Sequence, residues 1–296
     1  MTEARPSGRS GHLLALFTEM VWGTTFISTT VLLRDFSPAA IICVRMALGI
    51  AALFAARPRL MRLQSRKHEL YFAGAGFVGV SLYFMLENIA LTYTSSANCS
   101  VIISSAPFFV AIAMRLFAHG ERMSRSFYVG FVVAMTGIAL LSFSGRELHL
   151  NPLGDLLCLL AAVCWAAYCV LLFKLEPFHY DTLMVTRRIF SYGLLFMLPV
   201  VLATGTAFPV DKLLKPVNLL NFLYLGLCAS ALCFVTWNVA QKRIGAVKTS
   251  AYIYLSPVVT IVASWLLLGD AILPAALLGS ALTLCGLALS QMGKRR

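Results

Sequence analysis

The sequence predicts an all-α membrane protein of ten transmembrane helices, arranged as two inverted five-helix repeats. Three observations predict it. The chain is too apolar and too poor in charge for water, it carries ten apolar runs of membrane-crossing length, and it repeats itself weakly at a spacing of 143 to 150 residues.

Of the 296 residues, 59% are hydrophobic and 12% charged, against roughly 45–50% and 25% in soluble domains. So few charges do not cover a water-facing surface, so lipid is the solvent for most of the chain. The net charge of +12 comes from 24 Lys and Arg against 12 Asp and Glu. These bases stand in short clusters between apolar runs, which fits charged loops flanking membrane spans rather than a nucleic-acid surface. All eight cysteines lie inside apolar runs, none forms a C-x-x-C pair, and the five histidines are scattered. They read as small hydrophobes at helix interfaces, and no metal or cofactor is expected.

A helix needs about 20 apolar residues to cross roughly 30 Å of hydrocarbon. The first run, 12–33, is too long for a signal-peptide core and lacks an A-x-A site, so it is expected to remain as the first helix. Further runs follow at 39–56, the shortest, then 70–91, 97–117 and 126–144. The second set comprises 153–173, 182–203, 218–239, 250–268 and 273–291. The expected organisation is a cytoplasmic tail at 1–11, a first repeat at 12–144, a second at 153–291, and a basic cytoplasmic tail at 292–296. With the N-terminus in the cytoplasm, seventeen of the 24 bases fall inside. Only Arg34, Arg146, Lys212 and Lys215 fall outside, and Arg45, Arg187 and Arg188 lie within spans. That asymmetry places both termini in the cytoplasm.

A shift of 143 aligns Trp22 with Trp165 and Arg45 with Arg188; a shift of 150 aligns Asn88 with Asn238 and Pro107 with Pro257. A shift of 149 aligns Gly120-Glu121 with Gly269-Asp270, Gly130 with Gly279 and Gly137 with Gly286. Five spans per half is an odd number, so the second half enters the membrane inverted. Such halves exchange inward- and outward-open shapes, which is the logic of a transporter.

These residues carry a family resemblance: Trp22-Gly23 and Phe26, Arg45, the run NIALTYTSSA at 88–97, Pro107, Gly120-Glu121-Arg122, Gly130 and Gly137. Trp165, Arg188, Pro257, Gly269-Asp270, Gly279 and Gly286 echo them in the second half. Over nearly its full length the chain resembles the EamA-type branch of the drug/metabolite transporter superfamily. Overall likeness, without a diagnostic motif, is to the YddG-type exporters of aromatic and other neutral amino acids. The resemblance implies ten helices, a central substrate cavity, and a multi-pass protein of the bacterial inner membrane. Two positions depart from the family pattern: His119 precedes Gly-Glu, and Glu19 puts a carboxylate in the first span.

Candidate cavity residues are the in-span aromatics and amides Trp22, Tyr83, Asn88, Trp165, Tyr168, Trp237, Asn238 and Tyr252. A pocket for neutral or aromatic amino acids needs apolar walls with a few polar groups, although Trp and Tyr also populate interfacial belts. Pro107 and Pro257, with Ser105 and Ser256 beside them, each free a backbone carbonyl within a span. Such breaks either line a wet cavity or bend a helix for packing.

Charges within spans are paired or functional. Arg45 and Glu87 fall at matching depths, roughly 10 Å and 8 Å from the outer face, so a buried pair is expected. On the inner side Glu19 is matched with Arg187 or Arg188. These pairs serve either as fixed struts or in gating and proton coupling. The glycines of the fifth and tenth spans are expected to let helices approach closely.

The expected function is export of neutral or aromatic amino acids by alternating access; the alternative is export of another small metabolite or a drug. The expected partners are that small-molecule substrate and the lipid bilayer, with no nucleic acid and the oligomeric state left open. An enzyme is not expected: the histidines sit at span ends or in loops and no H-E-x-x-H occurs, so no catalytic set is assigned.

Overall fold

The structure, a computed structural model, describes residues 8–118, 124–143, 151–268 and 274–292. Gly120-Glu121-Arg122, His119, Gly269-Asp270 and the outer parts of both tails lie outside these residues.

The described chain is helical. The elements are α1 (Gly8–Leu32), α2 (Pro38–Ala56), α3 (His68–Tyr93), α4 (Ser96–Phe117) and α5 (Arg125–Phe143). They continue with α6 (Pro152–Leu175), α7 (Thr182–Thr204), α8 (Pro216–Ile244) and α10 (Pro274–Gln291). Between the last two lies α9, made of Ala246–Ser250, Ala251–Leu255 and Ser256–Leu268 in succession. α1 starts at Gly8, so residues 8–11 are helical.

Local chemistry sets several starts. The Ser37 side chain accepts from the Ala40 amide ahead of Pro38, and Ser95 accepts from Asn98. Asn151 caps Leu153 and Gly154 ahead of Pro152, and Asp181 caps Met184. Each satisfies an amide that the first helical turn leaves open, and proline at the first position loses no hydrogen bond there.

Among the described residues, seven helices are long and apolar enough to cross a membrane: α2, α3, α4, α6, α7, α8 and α9. Length and composition alone therefore carry seven of the ten expected crossings. The remaining three fall outside that set for different reasons. Glu19 and a series of threonines dilute α1, while the apolar stretches of α5 and α10 are shorter.

Two helix irregularities recur at corresponding places. Widened π-type turns interrupt α3 at Phe77–Leu82 and α8 at Tyr224–Leu232. Breaks interrupt α4 between Ile103 and Ala106 and α9 at the 3-10 turn Ala251–Leu255, just ahead of Pro107 and Pro257.

The packing has a matching pattern. α1 lies against α8 and α9, and α6 lies against α3 and α4. α2 packs on α7 and on the widened turn of α8, while α7 packs on α3; α5 pairs with α10. Exchanging α1–α5 with α6–α10 turns each of these pairs into another of them or, for α2–α7 and α5–α10, into itself. The α5–α10 contact is close enough that a Cβ on Gly137 would stand 2.6 Å from the Gly279 carbonyl oxygen, and one on Gly286 would stand 2.4 Å from the Ala134 nitrogen.

Between α1 and α2, Asp35 accepts from the Asn218 amide at 2.8 Å and faces Lys212 and Lys215, both at 3.4 Å. The Asn218 hydrogen bond, helped by the two ammonium groups, holds the Asp35 carboxyl below the usual carboxylate range. A depressed carboxylate stabilises the fold above its unfolded pKa, about 3.9, and loses that contribution as pH falls through the folded value. Asp35→Asn is therefore expected to lower the melting temperature at pH 7. The two proteins should converge as pH falls below the depressed folded value, as read by intrinsic-fluorescence melts across pH.

Candidate functional site

A cavity lies between the two sets of helices, walled mainly by aromatic side chains with a few polar groups, the make-up of a small-molecule site. α1 contributes Glu19, Trp22, Thr25 and Phe26; α2 contributes Arg45; α3 contributes Tyr83, Phe84 and Glu87. Ile103 comes from α4, Trp165 from α6, Phe234 from α8, and Ile253 and Ser256 from α9. Glu19, Trp22 and Phe26 follow the three-to-four spacing that puts side chains on one helix face.

The wall is aromatic. Trp22 and Trp165 meet edge to face with centroids 5.3 Å apart, and Phe234 stands 5.3 Å from Trp22. Tyr83 lies 5.4 Å from Trp165. Trp237 and Tyr168 form a layer behind, each 5.0 Å from a lining tryptophan. The Trp22 indole donates to the Ala229 carbonyl at 2.8 Å, inside the widened turn of α8. Such a turn disturbs the regular backbone ladder and offers carbonyls to outside donors.

Three charged side chains share the cavity, each nearly inaccessible: Glu19 at 1%, Arg45 at 2% and Glu87 at 3% exposure. The Glu19 Oε2 accepts from Ser256 Oγ at 2.7 Å, while its Oε1 has no partner. Arg45 donates through Nε to Ser230 Oγ at 3.1 Å and lays its guanidinium carbon 4.0 Å from the Phe84 ring centroid. Its Nη1 has no partner. Glu87 shares the cavity lining with Tyr83 and Arg45.

Both expected ion pairs are corrected by this geometry. Among the described residues Arg45 and Glu87 face the same cavity without a nitrogen–oxygen contact within 4.0 Å. Ser230 and Phe84 take the guanidinium instead. Glu19 bonds Ser256 rather than Arg187 or Arg188. The Arg188 guanidinium grips the Glu69 carboxylate through Nε at 3.0 Å and through Nη2. Arg187 donates to the Arg57 carbonyl at 2.8 Å and to the Arg59 carbonyl, pinning the loop after α2.

Of the other candidates, Tyr168 donates to Asn238 Oδ1 at 3.2 Å, and the Asn238 amide donates to Thr186 at 3.0 Å. Asn238 lines a second, smaller cavity with Gln241, Lys242 and Tyr180. Asn88 donates to the Pro38 carbonyl, the Ser105 hydroxyl to Ile102, and Tyr252 meets His12 at 2.9 Å. None of these lines the central cavity, nor do Pro107 and Pro257; the prolines restart helices whose preceding residues, Ile103 and Ile253, do.

Thr25, Phe26, Phe84, Ile103, Phe234 and Ile253 were not among the candidates read from the sequence. A signal existed for four of them: the shift of 150 that pairs Asn88 with Asn238 also pairs Phe84 with Phe234 and Ile103 with Ile253. Among the described residues no group of three or more His, Cys, Asp or Glu is placed to hold a metal.

Comparison with known proteins follows the same division of the chain. The sequence profile of the EamA-like transporter family matches residues 9–143 and again 152–292. A probable terminal-alkyne amino-acid exporter of Streptantibioticus cattleyicolor is 29% identical over 287 residues, spanning 95% of this chain and 94% of that protein. An uncharacterized transporter of Archaeoglobus fulgidus is 27% identical, spanning 88% and 89%. A probable amino-acid metabolite efflux pump of Escherichia coli is 25% identical, spanning 97% and 96%. A solved structure described as "Crystal structure of protein" shares the fold with a TM-score of 0.77 at 18% identity, covering 97% of this chain and 98% of its own.

Proposed function

The chain belongs to the EamA-like transporter family, and from that premise we propose that it exports neutral, chiefly aromatic amino acids through the central cavity by alternating access. In this reading ten helices cross the inner membrane, both termini are cytoplasmic, and residues 12–144 and 153–291 form inverted halves. The twofold family match and the exchange pattern of the helix contacts support the halves. The asymmetry of Lys and Arg supports the orientation.

The observation that carries the cargo assignment is the cavity wall: an aromatic box from Trp22, Tyr83, Phe84, Trp165 and Phe234 with Glu19, Arg45 and Glu87 at its edge. An aromatic side chain gains face and edge contacts in such a box. The charged edge suits a polar head group. A membrane-embedded catalyst is not indicated, since family and relatives are transporters.

The test is counterflow in proteoliposomes preloaded with L-phenylalanine or L-tryptophan. Accumulation of the labelled amino acid above protein-free liposomes is the expected result. Failure to move either, with counterflow of another metabolite or drug, would overturn the cargo assignment in favour of that class.

A further inference from the structure

Three residues that line the central cavity each hold a buried polar atom without a partner, Arg45 Nη1, Glu19 Oε1 and Trp165 Nε1, and the first two belong to groups of opposite charge. The Arg45 and Glu19 side chains are almost wholly buried, and no nitrogen–oxygen contact within 4.0 Å joins them. A buried charge is costly unless paired and hydrogen-bonded. A site that leaves one donor edge and one acceptor edge unmatched is therefore built for a ligand that supplies both complements.

We infer that Arg45 and Glu19 form a head-group clamp for a zwitterionic α-amino acid. The ligand carboxylate accepts from Arg45 Nη1, and the ligand ammonium donates to Glu19 Oε1. This assignment rests on the exporter reading above and adds which residues hold which end of the cargo.

Each clamp residue has one edge committed to the protein and the other left for the ligand. Ser230 fixes Arg45 through Nε, and Phe84 supports the guanidinium plane. Ser256 fixes Glu19 through Oε2. Anchoring of this kind limits the rotamer entropy lost on binding. Glu87 is the other carboxylate in the cavity, but among the buried atoms without a partner the carboxylate oxygen is that of Glu19.

The aromatic frame and the clamp also differ in symmetry. Trp22 and Trp165 are repeat mates, as are Phe84 and Phe234. The mates of Glu19 and Ser256 are Ala162 and Ala106, so the half-to-half exchange does not reproduce the acid end of the clamp. A ligand in this cavity thus has a nearly symmetric box for its side chain and a single orientation for its head group.

The test compares three indoles on the purified full-length protein by isothermal titration: L-tryptophan, tryptamine, which lacks the carboxylate, and indole-3-propionate, which lacks the ammonium. The unsubstituted protein is expected to bind L-tryptophan at least tenfold more tightly than either analogue. Glu19→Gln should weaken L-tryptophan about tenfold while leaving indole-3-propionate unchanged. Arg45→Gln should weaken L-tryptophan while leaving tryptamine unchanged.

Equal loss of L-tryptophan and indole-3-propionate in Glu19→Gln overturns the clamp, as does tryptamine binding as tightly as L-tryptophan to the unsubstituted protein. Should a substituted protein fail to accumulate, the three-ligand comparison on the unsubstituted protein decides alone. Binding of L-tryptophan with the wrong analogue profile removes the clamp and leaves the exporter reading standing. No binding of L-tryptophan, with a melting shift from the lipophilic cation ethidium, removes both.

Discussion

Replacing Gly137 by leucine is expected to remove most folded protein from the membrane. A Cβ there would stand 2.6 Å from the Gly279 oxygen, the Thr283 nitrogen and the Thr283 hydroxyl, and two of those three atoms are backbone. Side-chain rotation relieves none of the backbone clash, so α5 and α10 must separate. Overpacking in a dense interior costs about 1–3 kcal/mol. Between membrane helices the loss is felt in full, because lipid offers no hydrophobic drive to push them back together. Gly286→Leu should do the same from the facing helix, where a Cβ would meet the Ala134 nitrogen at 2.4 Å. Gly8→Leu is the control, since nothing lies within 4 Å of that position. Size-exclusion profiles of a fluorescent fusion, with thermal melts, read the outcome: a monodisperse peak that survives Gly137→Leu would contradict the packing.

The largest effect on transport is expected at Trp22. Its ring touches Trp165, Phe234 and Trp237, and its indole N–H anchors it to the widened turn of α8. Trp22→Ala removes one wall of the cavity and leaves the Ala229 carbonyl without that donor. An aromatic pair contributes about 0.5–1.5 kcal/mol beyond its buried area, and tenfold in affinity corresponds to about 1.4 kcal/mol. Loss of the ring together with its buried area should therefore raise KM for L-phenylalanine by tenfold or more. Trp22→Phe keeps an aromatic face and should recover much of it. Trp165→Ala is expected to behave similarly, because it forms the opposite edge of the same contact. Counterflow at matched protein abundance checks both; an unchanged KM in both alanine variants would separate the cavity from transport.

Much of the fold was legible because hydrocarbon thickness dictates helix length, and apolar run length is visible in one dimension. Capping residues such as Ser37, Asn151 and Asp181 are local and leave the same kind of trace. Ion pairing was not legible. Counting residues from a span end gives the depth of Arg45 and Glu87, but not the direction in which each helix turns its face. That direction is set by packing, and packing delivered Arg45 to Ser230 and Phe84. Glu69, the partner of Arg188, stands at the start of α3, one residue outside the apolar run 70–91, so no charge count within spans includes it.

The cavity was half legible. Trp22 and Trp165 are uncommon residues, so their repeat relation stands out, whereas Phe84, Phe234, Ile103 and Ile253 resemble the many apolar residues that face lipid or core. The prolines signalled the right place for an indirect reason. They mark the breaks in α4 and α9, and the chain at and beside those breaks brings Ile103, Ile253 and Ser256 to the cavity.

The most direct measurement is photo-crosslinking of the purified protein with a diazirine analogue of phenylalanine, with and without excess L-phenylalanine, followed by peptide mapping. A single transport cavity predicts adducts on the segments of α1, α3, α6 and α8 that carry Trp22, Tyr83-Phe84, Trp165 and Phe234, lost when the competitor is present. Competitor-sensitive adducts confined to the outer helix faces, with those four segments unlabelled, would contradict it.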